Sequence, residues 1–151
     1  DRSETVDLAA LAESVSAALE PRLALKSLRI ERRGLAAAAN VSGDRFLLAQ
    51  ALENLLDNAI GFSPAGGEIG LELLRDAAGF VVRVEDRGPG IPDYAQDRVF
   101  ERFYSLPRPD GARSSGLGLS FVREVAALHG GSIELRNREG GGAVAELRLP
   151  A

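Results

Sequence analysis

The sequence predicts an α+β fold: a two-layer sandwich in which one mixed β-sheet is covered on one face by helices. Helical and strand-like periodicities are intermixed along the chain, and the strand-like runs stand as hairpin-like neighbours rather than in strict βαβ alternation. The strands also carry their apolar residues on one face, as a sheet with a single covered side requires.

The elements follow in order. Leu8, Leu11, Val15 and Leu19 recur at three- and four-residue steps, an amphipathic helix that Pro21 ends or bends. Leu28 and Ile30 alternate with Arg29 and Glu31 as a short half-buried strand. Ser42, Gly43 and Asp44 supply turn and capping chemistry for a second helix, about Asp44 to Phe62. Its stripe is Leu48, Ala51, Leu52, Leu55 and Ala59, and Ser63-Pro64 stops it. Ile69, Leu71 and Leu73 form one face of a strand. Phe80, Val82 and Val84 form one face of the next, and Asp86 falls on that same face where Gly88, Pro89 and Gly90 break the ladder. From about Arg98 to Ser115 the pattern is irregular and reads as a long mobile loop. A third helix, Gly116 to His129, is expected to turn Leu117, Phe121, Val122, Val125 and Leu128 inward and to end at Gly130-Gly131. Two closing strands, near 132–136 and 143–149, are joined through Gly140-Gly141-Gly142.

With 151 residues the chain has the size of one domain, and no repeat, low-complexity tract or linker divides it, so residues 1–151 are read as one unit. The absence of cysteine excludes a disulfide framework, a cysteine nucleophile and cysteine-ligated zinc or iron–sulfur centres. A net charge of -4 argues against broad attraction to nucleic acid or anionic lipid. No apolar run approaches the roughly 20 residues a membrane helix needs. The first residue is Asp1 rather than Met, which is read as the mark of a piece excised from something longer.

Four constellations carry chemistry. Asn54 and Asn58 lie about 40° apart around their helix and border its apolar stripe. Asn is a mediocre interior helix residue, so the pair serves either to bond a neighbouring loop or to place amide oxygens in a cleft, where one can complete the oxygen shell of Mg²⁺. In Asp86-Arg87-Gly88-Pro89-Gly90-Ile91, a carboxylate follows inward-facing apolar residues. It either closes an Asx-type turn or accepts from the amine of a bound base that the glycines let approach. Ser114-Ser115-Gly116-Leu117-Gly118-Leu119 opens a helix with small residues, an anion site by geometry, but it matches neither a P-loop nor a dinucleotide fingerprint. In Val99-Phe100-Glu101-Arg102-Phe103-Tyr104 and the loop beyond, the aromatics pin the loop's base, and Arg102, Arg108 and Arg113 either fold over a polyphosphate or lie solvated. His129, in the last turn of its helix, reads as a partner for carbonyls and not as a catalyst.

Taken in order, Asn54-x-x-x-Asn58, Asp86-x-Gly88-x-Gly90, Phe100-x-Arg102-Phe103 and Gly116-Leu117-Gly118-Leu119 resemble the N, G1, F and G2 boxes of bacterial sensor histidine kinases. The stretches around Phe103 and Gly116 are especially similar to the CreC type. The set also resembles the wider ATP-binding family shared with gyrase, Hsp90 and MutL. The resemblance implies a Bergerat-type sandwich that holds ATP between helices and a flexible lid. By position it implies that Asn58 coordinates Mg²⁺, that Asn54 sits near the phosphates, and that Asp86 accepts from the adenine amine. Gly88 and Gly90 would admit the ring, with Phe62 and Ile91 beside it. Arg102, acting with Asn54 in catalysis, would face the triphosphate, along with Phe103, Tyr104 and the backbone of Ser115, Gly116, Leu117, Gly118 and Leu119. Gly61 stands where many relatives place a phosphate-contacting lysine, and Ser114 where many place a glycine. Asn at 54, in place of a water-activating glutamate, implies phosphotransfer rather than hydrolysis. The implied partners are a helical dimerisation domain bearing a phosphoacceptor histidine and a response regulator, with the domain on the cytoplasmic side of a membrane receptor.

Overall fold

The computed structural model describes residues 3–109 and 118–151. Five strands form the main sheet in the order β2-β4-β5-β7-β6: β2 (Arg29–Arg33), β4 (Glu68–Asp76), β5 (Gly79–Glu85), β6 (Ser132–Asn137) and β7 (Ala143–Pro150). The β2–β4 pair is parallel and the other three are antiparallel, so the sheet is mixed. Helices α1 (Leu8–Ala18), α3 (Arg45–Phe62) and α4 (Gly118–Leu128) layer over one face, joined by the short α2 (Glu20–Leu25). The first helix ends at Ala18, beside Pro21. Pro21 lies in the opening turn of α2, where its missing N–H costs nothing.

The two faces of the sheet differ because the side chains alternate. Ile69, Leu71, Leu73, Val82, Val84, Ala145 and Leu147 are buried beneath the helices in one core with Leu48, Leu52, Leu55 and Val122. The other face carries a cross-strand ladder of charge. Arg83 on β5 meets Glu146 on β7 at 2.7 Å and Glu72 on β4 at 3.4 Å, and Arg136 on β6 reaches Glu146 at 2.8 Å. The Arg136 hydrogen bond is the main reason the Glu146 carboxyl titrates below its ordinary value; burial pulls the other way.

Helix α3 positions the site. Its N-terminus is fixed by the Asp44 side chain, which accepts from the Leu47 N–H at 3.0 Å, and its end by Ser63. His129 locks the far end of α4 to this cap. Its Nδ1 lies 2.8 Å from the Val125 carbonyl and its Nε2 accepts from the Asp44 N–H at 3.0 Å, which defines the neutral tautomer with the proton on Nδ1. A small second sheet, β1 (Glu4–Asp7) with β3 (Asn40–Gly43), is absent from the sequence reading and holds the start of α1. Asp7 accepts there from the Ala9 and Ala39 N–H groups, and the Ala39 bond is the largest cause of its lowered pKa.

One inward assignment on α4 is overturned. Leu128 is 74% exposed, because it lies about 120° around the helix from Val122, whose neighbours Val125 and Ala126 are the buried ones. Leu117 lies outside the described residues.

Candidate functional site

A cleft of about 800 Å³, open mouth included, lies between α3, the end of β5, the segment after it and the start of α4. Asn54, Asp57, Asn58 and Phe62 line it from α3, Asp86, Gly90 and Ile91 from the β5 turn, and Tyr104, Leu106 and Arg108 from the following segment. Gly118, Leu119, Leu135 and Ala143 also line it. Asp86 and Asn58, far apart in sequence, therefore share one hollow.

Asp86 is 6% exposed, and burial raises its pKa from the ordinary value. Two backbone groups and the charge of Arg138 oppose that rise. The Gly88 N–H donates to Oδ1 at 2.9 Å and the Ala143 N–H donates to the same oxygen at 3.3 Å. Among the described residues Oδ2 accepts no hydrogen bond. The carboxylate thus closes an Asx-type turn with one oxygen, the first of the two alternatives read from its motif.

The turn itself is held by close approach. A Cβ on Gly88 would collide with the Phe62 carbonyl oxygen, so this glycine lets the turn seat on the end of α3. Gly90 adopts φ +81°, the left-handed region that side chains resist. Beyond it Asn137, at the end of β6, clamps the backbone of Ile91: its Oδ1 accepts from the Ile91 N–H at 2.6 Å and its Nδ2 donates to the Ile91 carbonyl at 3.1 Å. No local pattern in the sequence marks Asn137, because the contact spans 46 residues.

The two asparagines of α3 are used differently. Asn54 donates to the Gly118 carbonyl at 3.3 Å and accepts from Gln50 at 3.1 Å, so it bonds the neighbouring segment. The Asn58 amide makes no hydrogen bond among the described residues and lines the cleft.

The segment after the β5 turn rests on a small second core of Ile91, Ala95 and Val99, against which Phe100, Tyr104 and Leu106 pack. The aromatics do pin its base, with Phe103 as the exception. Phe103 is 74% exposed at φ +66°, and neither it nor the exposed Arg102 lines the cleft. Among the described residues the arginine that enters is Arg108. Its Nη2 donates to Asp57 Oδ2 at 3.1 Å, and its guanidinium stands 5.9 Å from the Phe62 ring centre. Arg113, Ser114, Ser115 and Gly116 lie outside the described residues.

A buried carboxylate with one oxygen that accepts no hydrogen bond among the described residues, a helix amide and an arginine thus line one cleft of a layered α+β scaffold. The chain belongs to the histidine kinase-, DNA gyrase B-, and HSP90-like ATPase family, whose match spans residues 43–151, and it is of the catalytic, ATP-binding type found in sensor histidine kinases. It is 51% identical over 144 residues to the sensor protein CreC of Escherichia coli, which covers 95% of this chain and 30% of CreC. It is 46% identical over 116 residues to the sensor-like histidine kinase SenX3 of Mycobacterium tuberculosis, covering 74% of this chain and 28% of SenX3. It therefore spans about a third of the length of these relatives. Among solved structures, the mycobacterial sensor histidine kinase MprB superposes with TM-score 0.84 at 30% identity, over 98% of this chain and 97% of that one. The catalytic domain of histidine kinase ThkA superposes with TM-score 0.88 at 26% identity, over 99% of this chain and 98% of that one.

Proposed function

We propose that this domain binds Mg·ATP and donates the γ-phosphoryl group to a histidine on a separate helical dimerisation domain, from which it passes to a response regulator. In this reading residues 1–151 are the single catalytic domain of a longer receptor kinase and work on the cytoplasmic side of a membrane. No helix among the described residues is long and apolar enough to cross one. The observation that carries the reading is Asp86, a buried carboxylate with one oxygen spent on its own turn and the other left for the cleft.

Asp86 Oδ2 accepts from the exocyclic amine of adenine and would oppose the carbonyl that guanine carries there. Ile91, Phe62, Leu135 and Ala143 offer the ring apolar surface, with the Asn137 clamp keeping Ile91 in place. The donor set fits a hard cation shared with phosphates. Asn58 presents an amide oxygen without a partner among the described residues, and Mg²⁺ needs few protein ligands because it keeps waters and takes phosphate oxygens. Asn58 would hold the ion, which supplies charge neutralisation on the phosphates. Asn54 secures the Gly118 carbonyl and so fixes the start of α4 beside the phosphate end.

The arrangement suits transfer better than hydrolysis. An amide such as Asn54 takes no proton from water, and the nearest cleft carboxylate, Asp57, has both oxygens engaged by arginines. The test is incubation with γ-labelled ATP, with and without a helical hairpin domain bearing an acceptor histidine. Label on the hairpin histidine, with little phosphate release from the domain alone, is the expected result. Steady phosphate release and no transfer would place the chain with the hydrolases instead.

A further inference from the structure

Of the arginines that the sequence offers as polyphosphate contacts, Arg108 is the one that lines the cleft among the described residues. A Cβ on Gly61 would run into Nε, Cζ and Cδ of Arg108, so the bare glycine is what seats the guanidinium against the end of α3. The Arg108 side chain is only 14% exposed. It stands over Phe62, and its hydrogen bond to Asp57 is its only one among the described residues. Asp57 Oδ1 is bonded in turn by Arg22 at 2.5 Å, from α2. The carboxylate is thus already matched by Arg22, and the three groups together carry a net charge of one positive unit. Arg108 is held in place without being neutralised.

We propose that Arg108 is the phosphate-recognising cation of this cleft, with Gly61 as its seat and Asp57 as the positioning residue that aims it. The inference rests on the reading of the cleft as an ATP site. A guanidinium has five N–H donors in a planar fork, and the bond to Asp57 uses only one of its edges. The remaining donors match phosphate oxygens in number and geometry, and partial burial keeps that attraction from being screened. The preorganisation matters because a free arginine loses rotamer entropy on binding, whereas one already fixed by Asp57 and Phe62 loses little.

The experiment is calorimetry on the full chain with ATP, ADP and adenosine in the presence of Mg²⁺. Arg108→Gln keeps the aliphatic stem and removes the charged guanidinium. It should weaken ATP binding about thirtyfold and ADP binding less, and should leave adenosine unchanged. Adding Gly61→Lys to that variant puts a cation back in the vacated space and should recover about tenfold of the loss. In wild type the Arg108 side-chain N–H resonance should be slow to exchange with water, and Asp57→Asn should release it. Wild-type ATP affinity in Arg108→Gln, or equal losses for ATP and adenosine, would overturn the assignment while the ATP-site reading stood. A wild-type chain that binds neither ATP nor adenosine would remove the ATP-site reading, and the assignment with it.

Discussion

Replacing Asp86 with Asn separates recognition from folding. The variant keeps Oδ1, so the Gly88 and Ala143 N–H groups still have their acceptor. The change falls on the other position, where a carboxylate oxygen becomes an NH₂ that meets the adenine amine donor to donor. Losing a charge-assisted hydrogen bond at a buried site and leaving the partner unpaired costs about 2–3 kcal/mol. That corresponds to roughly a 30- to 150-fold rise in the Kd for ATP. The fold should move the opposite way. Burial raises the folded-state pKa of Asp86, so the stability it contributes is present at low pH and is lost as pH rises through the raised value. At neutral pH the free wild-type domain therefore carries the cost of a buried charge, and the neutral amide removes it. Calorimetry at neutral pH should show the affinity loss, and thermal unfolding should show a Tm equal to or above wild type. ATP affinity of the wild type should also fall on acidification at a pH above the ordinary aspartate range. A correctly folded Asp86→Asn with wild-type ATP affinity would refute this reasoning.

Asn58→Ala should weaken ATP binding about tenfold with Mg²⁺ present and change it little in EDTA; equal losses in both conditions would deny Asn58 its metal role. Stability should fall in acid through Asp7 and Glu146, whose folded-state pKa values are both lowered, chiefly by the Ala39 N–H and by Arg136. Their contribution is present above the ordinary carboxylate range of about 4 to 4.5 and is lost as pH falls through the lowered values. Asp7→Asn with Glu146→Gln should flatten the acid limb of Tm against pH, and an unchanged slope would contradict that.

What the sequence made legible was local. Helix α3 could be placed to within a residue because Asp44 caps it and Ser63-Pro64 ends it, both short-range signals. Asp86 could be placed on the inner face of β5 because strand alternation carries straight through to it. The β1–β3 pair was invisible, since two four-residue strands separated by more than 30 residues bury only Val6, Val41 and Gly43, too few positions to mark a strand. Leu128 was misplaced because three- and four-residue steps admit residues well off the buried stripe near a helix end.

The site divides along the same line. Motif residues were readable, but the contacts that aim them are tertiary. Asn137 reaches Ile91 across 46 residues, and Arg108 reaches Asp57 across 51. Of the arginines read as candidates over a polyphosphate, Arg108 lines the cleft and Arg102 is exposed, a distinction that no local pattern carries. At Gly61 only the structure shows the Arg108 guanidinium standing in the space a side chain would take.

The most direct measurement is a titration of the isotope-labelled chain with Mg·ATP, following the amides of Gly88 and Ala143 together with the Asn58 side-chain NH₂. One cleft that holds a purine at Asp86 and a metal at Asn58 requires all three signals to shift along a single saturation curve. Saturation of the chain with Gly88 and Ala143 unmoved, or with Asn58 following a separate curve, would contradict it.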